Sequence, residues 1–194
     1  MAFYVTKEFV ISLILVYHSF IMIIIFTGDG KGKTSAAITT VLRSLAADKA
    51  VSLIQFLKTG FSGEIEVLNK LKSHTYKNIS IQSFGSRKLV DPKNLQKDDF
   101  DLFNEALIAT NHSIATKPFL LVLDEILVAL KFKLINEEDL IKIISTCKEK
   151  NIHLILTGRG ATKKITAEAD LVTEMKKIKH PFDQGKKAIK GIDL

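Results

Sequence analysis

The chain is poor in residues that build covalent frameworks. Cys147 is the only cysteine among 194 residues, which excludes a disulfide framework or a cysteine-built metal cage within one chain. It falls among Ile141, Ile143 and Ile144 in a segment with helical spacing, so we read it as a small core residue and as a sign of a reducing, cytoplasmic setting. Three prolines, ten glycines and the lack of any repeat or low-complexity tract exclude fibrous and disordered classes. No stretch alternates aromatics with Arg or Lys as a nucleic-acid stacking platform requires, so nucleic acid is not expected as a partner.

What is present is a chain 46% apolar and 25% charged, of a length that favours one domain with one sizeable core. Its formal charge is +7, and eight of its 28 basic residues lie between Lys163 and Lys190. A field of that sign suits polyanions, nucleoside triphosphates among them.

Residues 9–26, FVISLILVYHSFIMIIIF, run without a formal charge for 18 residues, the length of a short membrane span. The last six are needed as the strand that feeds the glycine loop described below, and the dozen before them are too short to cross a bilayer as a helix. Residues 1–20 are therefore expected to be a dispensable extension, either a helix lying on the domain or sequence upstream of a start at Met22. A short membrane anchor is the alternative. Residues 21–194 are expected to form the functional domain.

From Ile21 onward, short apolar runs alternate with longer amphipathic ones. IMIIIF, AVSLIQFL, NISIQSF, PFLLVLDE, NIHLILTG and ADLVTEM read as strands. Helical spacing covers Lys33 to Asp48, Glu64 to Lys72, Asp98 to Thr116, Glu137 to Lys150 and Thr162 to Glu168. Most of the strands are apolar nearly throughout, as strands buried on both faces are, and this predicts an α/β fold with a mainly parallel sheet flanked by helices. Gly85 to Lys97 has turn formers and little periodicity, which predicts a long loop.

The stretch TGDGKGKTSAA, Thr27 to Ala37, follows the first strand. Gly32, Lys33 and Thr34 fit the second half of the phosphate-loop pattern GxxxxGK[ST], while Thr27 stands where its first glycine would be. Gly28, Gly30 and Gly32 let successive backbone N–H groups converge, and the Lys33 ammonium and the positive end of the helix starting there complete a polyphosphate cradle. The Thr34 hydroxyl is placed to reach Mg²⁺. Asp29 is repulsive beside phosphates unless it faces outward or accepts local backbone N–H bonds, and we expect the second. In PFLLVLDE, Asp124 and Glu125 come at the carboxyl end of a strand, where open α/β sheets bind ligands, and such carboxylates hold Mg²⁺ directly or through water.

Together these motifs resemble the P-loop corrinoid adenosyltransferases. The landmarks are TGDGKGKTSAA, QFLKTG with a following GE, VLDE with AL shortly after, TGRG, ADLVTEM, IKHPFDQG and the closing KGID, in that order from about Ile23 to Leu194. The resemblance implies a P-loop NTPase-like, RecA-like fold and transfer of the 5′-deoxyadenosyl group of ATP to cob(I)alamin or a related corrinoid, with tripolyphosphate leaving. It implies that Gly28, Asp29, Gly30, Lys31, Gly32, Lys33 and Thr34 hold the triphosphate, with Lys33, Thr34 and Glu125 as the catalytic set. Thr34 and Glu125, with Asp124 beside them, would be partners of Mg²⁺ or Mn²⁺, and Arg159 a further phosphate contact. His180 and Lys179 lie in a family motif for which a structural or subunit-contact role is equally open.

Co(I) is already a strong nucleophile with no proton to lose, so no Ser, Cys or His constellation is required, and none is evident. The resemblance further implies an apolar wall that displaces the lower axial ligand of the corrinoid. Some relatives have a Trp there; this chain has none and reads SFGSRKLVDP, which leaves Phe84 or Phe61 for the role or both for the core. An electron donor such as a reduced flavoprotein is implied, and a homodimer by analogy. Two other readings each fit one feature: an ordinary P-loop NTPase or kinase fits the loop, and a non-catalytic nucleic-acid or membrane module fits the charge and the N-terminus. Neither predicts the ordered set.

Overall fold

The computed structural model describes residues 20–86, 88 and 90–192, and the expectations for residues 1–19 lie outside them. The six expected strands form, as β1 (Ile23–Thr27), β2 (Val51–Phe56), β3 (Ile79–Phe84), β4 (Leu120–Asp124), β5 (His153–Thr157) and β6 (Leu171–Glu174). They make a single sheet in the order β3-β2-β4-β5-β1-β6, and every pairing is parallel. All carboxyl ends therefore open on one edge.

Alternate residues of the central strands feed two separate cores. Leu53, Val122 and Ile155 face the helices α1 (Lys33–Ala46) and α2 (Gly63–His74), meeting Val41, Leu45 and Leu68. Ile54, Leu123 and Leu156 face the other layer. There they meet Phe103 of α3 (Lys97–Thr116), Leu127 of α4 (Ile126–Lys131) and Ile144 of α5 (Glu137–Glu149). Burial on both faces is why β2 and β4 read as continuous apolar runs. The edge strand β6 is exposed along its whole length, a difference the apolar run ADLVTEM did not signal.

All five expected helices form within two residues of expectation at each end, and the sixth strand is followed by a short 3₁₀ turn, Pro181–Gln184. The shortest of them, α6 (Lys163–Ala167), is capped by Thr162, whose hydroxyl accepts from the Ile165 N–H. The Asn136 cap is found, its side chain accepting from the Asp139 N–H at 2.8 Å. The helix α4 was not expected. Its sequence ILVALK is apolar up to the final Lys131 and four of its six residues are buried, so no repeated polar face marks a helical period. Cys147 is fully buried in the α5 layer, and burial pushes its thiol up to about 12, so it is inert core.

Candidate active site

The loop between β1 and α1 is shaped from behind. The Met175 carbonyl accepts from the Gly30 N–H at 2.6 Å, and the Met175 N–H returns a bond to the Thr27 carbonyl at 2.8 Å. A Cβ at Gly30 would lie 2.7 Å from that carbonyl oxygen, so this glycine is required by close packing of the segment that follows β6. The expected nest of three converging amides is corrected accordingly: the Gly30 N–H is spent on Met175 and is turned from the phosphate side. Gly32, at φ +115°, ends the loop, and α1 begins with no side-chain cap and no acid in its first turn. Its first N–H groups are left as a cradle for an anion.

Lys33 is folded back over the loop, its ammonium donating to the Gly28 and Gly30 carbonyls at 2.8 and 2.7 Å. Burial lowers its pKa, with the nearby Glu125 carboxylate opposing. Asp29 takes the outward option and not the expected backbone bonds: its side chain is 74% exposed, with Oδ1 3.8 Å from the Arg159 Nε.

Asp124 is the hub. It is fully buried, and four side chains donate to it. Thr34 (2.9 Å) and Thr157 (2.6 Å) reach Oδ1; Gln55 (2.9 Å) and Lys58 (2.7 Å) reach Oδ2. Ser83 in turn donates to the Gln55 Oε1 at 2.8 Å. The strand order explains the convergence. Thr157 at the end of β5 lies between β4 and β1, and Gln55 is directly opposite Asp124 across the β2–β4 ladder. Burial alone would raise the Asp124 pKa, but the Lys58 charge and the hydrogen bonds outweigh it, and the carboxyl is held below its ordinary value.

Glu125, one residue on, is in the opposite situation. It stands in the left-handed region at φ +64°, its N–H donating to the Thr157 hydroxyl at 2.9 Å, and this turn aims its side chain at the loop. Burial raises its pKa and Asp124 adds to that, against the pull of Lys58, Lys33 and Arg159. Its Oε1 is 3.7 Å from the Lys58 ammonium.

These groups open into a cleft of about 910 Å³, lined by residues 29–35, Lys58, Phe61, Glu125, Arg159 and His180, with residues 186–188 closing the far side. The structure thus brings together Asp29, Gly30, Lys31, Gly32, Lys33, Thr34, Glu125 and Arg159, with Asp124 directly beneath. Phe84 is elsewhere: at the end of β3 it is half-buried and packs against the core. Phe61, on the loop after β2, is the aromatic on the cleft, 79% exposed. Gln55, Lys58 and Thr157 were given no role from the sequence. Gln55 and Lys58 stand in the landmark QFLKTG and Thr157 opens TGRG, but nothing in the sequence pairs them with Asp124.

Comparison with known proteins supplies the context. The family model described as "ATP:corrinoid adenosyltransferase BtuR/CobO/CobP" matches residues 20–194. A corrinoid adenosyltransferase of Salmonella typhimurium is 33% identical over 175 residues, covering 89% of this chain and 85% of that protein. The one from Escherichia coli K12 is 32% identical over 174 residues with the same coverage, and that of a Sinorhizobium species 30% over 175 residues, 89% of this chain and 80% of that one. Among solved structures, a KaiC-like protein of Pyrococcus horikoshii superposes with a TM-score of 0.50 at 19% identity, over 79% of this chain and 72% of that one. This likeness shows the fold alone, a parallel sheet flanked by helices.

Proposed function

The chain belongs to the ATP:corrinoid adenosyltransferase family and is a transferase that moves the adenosyl group of ATP to a corrinoid; from that premise we propose how its own residues act. The α1 N-terminus, the loop amides other than that of Gly30, and Lys33 grip the triphosphate as a leaving group. Arg159 adds charge at the open side. Attack by the reduced cobalt at C5′ forms a Co–C bond while the C5′–O bond breaks and tripolyphosphate departs. The protein then has to hold C5′ in line with cobalt and stabilise the departing charge, with no proton to move.

The observation that carries this reading is the oxygen cluster at the loop's mouth. The Thr34 hydroxyl, the ionised Asp124 and the Glu125 carboxylate face one point beside the cradle, and all are hard donors suited to Mg²⁺ or Mn²⁺. Such an ion would neutralise charge on the triphosphate. Phe61 and His180 line the side of the cleft left for the corrinoid, and Phe84 supports that side through the core.

We also propose that residues 21–194 are the transferase domain, that residues 1–20 are dispensable to it, and that the enzyme works in the cytoplasm with a reduced flavoprotein as electron donor and a homodimer as its assembled state. No helix among the described residues is long and apolar enough to cross a membrane. The test is product analysis: with ATP, Mg²⁺ and chemically reduced cobalamin, the protein should yield a light-sensitive alkylcobalamin and intact tripolyphosphate. Orthophosphate without a corrinoid product would turn the assignment to an ordinary NTPase.

A further inference from the structure

Lys58 holds the position where the site reading above needs a divalent ion. Its ammonium donates to the Thr34 Oγ1 at 2.8 Å and to the Asp124 Oδ2 at 2.7 Å, and stands 3.7 Å from the Glu125 Oε1. The three residues contacted are the three proposed as metal partners. An ammonium is a compact cation with three donors, and oxygens that satisfy it resemble those that satisfy a hard divalent ion. Two cations cannot share that space without strong repulsion.

We infer that Lys58 is a resident cation that neutralises Asp124 and Glu125 in the metal-free enzyme and is displaced into the cleft when the divalent ion enters with nucleotide. This rests on the proposed metal site. The local backbone supports it. Leu57 is in the left-handed region at φ +57°, and the Lys58 backbone packs so tightly on Gly85 that a Cβ there would overlap it, which fixes the root of the side chain. The side chain itself is 31% exposed and lines the same cleft as Lys33 and Arg159, so it can swing without moving the loop. A displaced Lys58 would bring one more positive charge to the triphosphate at the moment the ion arrives.

The experiment is Mn²⁺ binding to the full chain without ATP, read from the paramagnetic resonance of the free ion, for the parent protein, Lys58→Met, Lys58→Gln and Glu125→Gln. Both Lys58 variants should bind Mn²⁺ at least about tenfold tighter than the parent, since no cation has to leave. They should also melt at a lower temperature when metal-free and recover when Mn²⁺ is added; Glu125→Gln should weaken binding. If Lys58→Met does not fold, Lys58→Gln, which keeps a donor, decides by the same readout. Mn²⁺ affinity unchanged or weakened in the Lys58 variants, with Glu125→Gln still weakening it, would overturn the displacement and leave the metal site standing. Mn²⁺ binding indifferent to Glu125→Gln would remove the site itself.

Discussion

The floor and the rim of the cleft are built differently. The floor is strand ends: Asp124 ties β2, β4, β5 and the first turn of α1 through four hydrogen bonds, and Met175 braces the glycine loop from behind. The rim is loop and C-terminal segment, with Phe61 and residues 186–188 on the surface. In the proposed reading, the groups that meet the triphosphate sit at strand ends and the start of a helix, whereas Phe61, proposed to meet the corrinoid, sits on a loop. The same division sets the neighbours Asp124 and Glu125 apart, one a buried anchor whose pKa is held down by Lys58 and its hydrogen bonds and the other a carboxylate whose pKa burial raises against the pull of Lys58, Lys33 and Arg159.

The largest effect should come from the floor. Lys33→Ala removes the charge aimed at the leaving group and should lower the rate of alkylcobalamin formation by about 100-fold or more while the far-ultraviolet spectrum is unchanged. Turnover at the normal rate would refute the cradle. Asp124→Asn places an amide where four donors converge, and should cost about 2–3 kcal/mol of unfolding free energy by urea titration. A change below about 0.5 kcal/mol would mean that the hub does not organise the floor.

A pH comparison sharpens the contrast between the two carboxylates. The folded-state pKa of Asp124 is below 3.8, so its stabilisation is present above that value and disappears as acid takes the pH through the folded pKa. Glu125 has the reverse sign: its folded pKa is above 4.5, so the folded state holds that proton more tightly, and metal-free stability rises as pH falls from the folded pKa towards 4.5. Glu125→Gln should therefore stabilise the metal-free protein at pH 8, with the advantage shrinking in acid. Urea midpoints across that range would show it, and a variant less stable than the parent at pH 8 would contradict the assignment.

The smallest effect should be on the rim. Phe61→Ala should raise the KM for the corrinoid about three- to tenfold, leaving the KM for ATP and the melting temperature nearly unchanged. Phe84→Ala should instead cost about 2 kcal/mol of stability, less than a fully buried ring because it is only half-buried. Reversal of the two outcomes would show that β3, not the loop after β2, carries the corrinoid wall.

Much of this was legible before any coordinates. Six apolar runs became six parallel strands, and GDGKGKT and LDE came to the same edge because every strand in a parallel sheet points the same way. The helix α4 was not legible, since a short helix with four buried residues out of six shows no amphipathic period. Nor was the reason for Gly30, whose constraint comes from Met175, 145 residues later in the chain.

By itself the sequence determined the sheet, the glycine loop and the presence of two carboxylates at a strand end, because hydrophobic periodicity and loop chemistry are local properties. Only the tertiary structure decided that Gln55, Lys58 and Thr157 meet Asp124, that Asp29 turns outward, and that Phe61 rather than Phe84 reaches the cleft. Most of those contacts join the ends of strands that are distant in the chain and neighbours in the sheet. The strand order that brings them together is fixed by how six strands and their helices share two cores, and no single segment carries it.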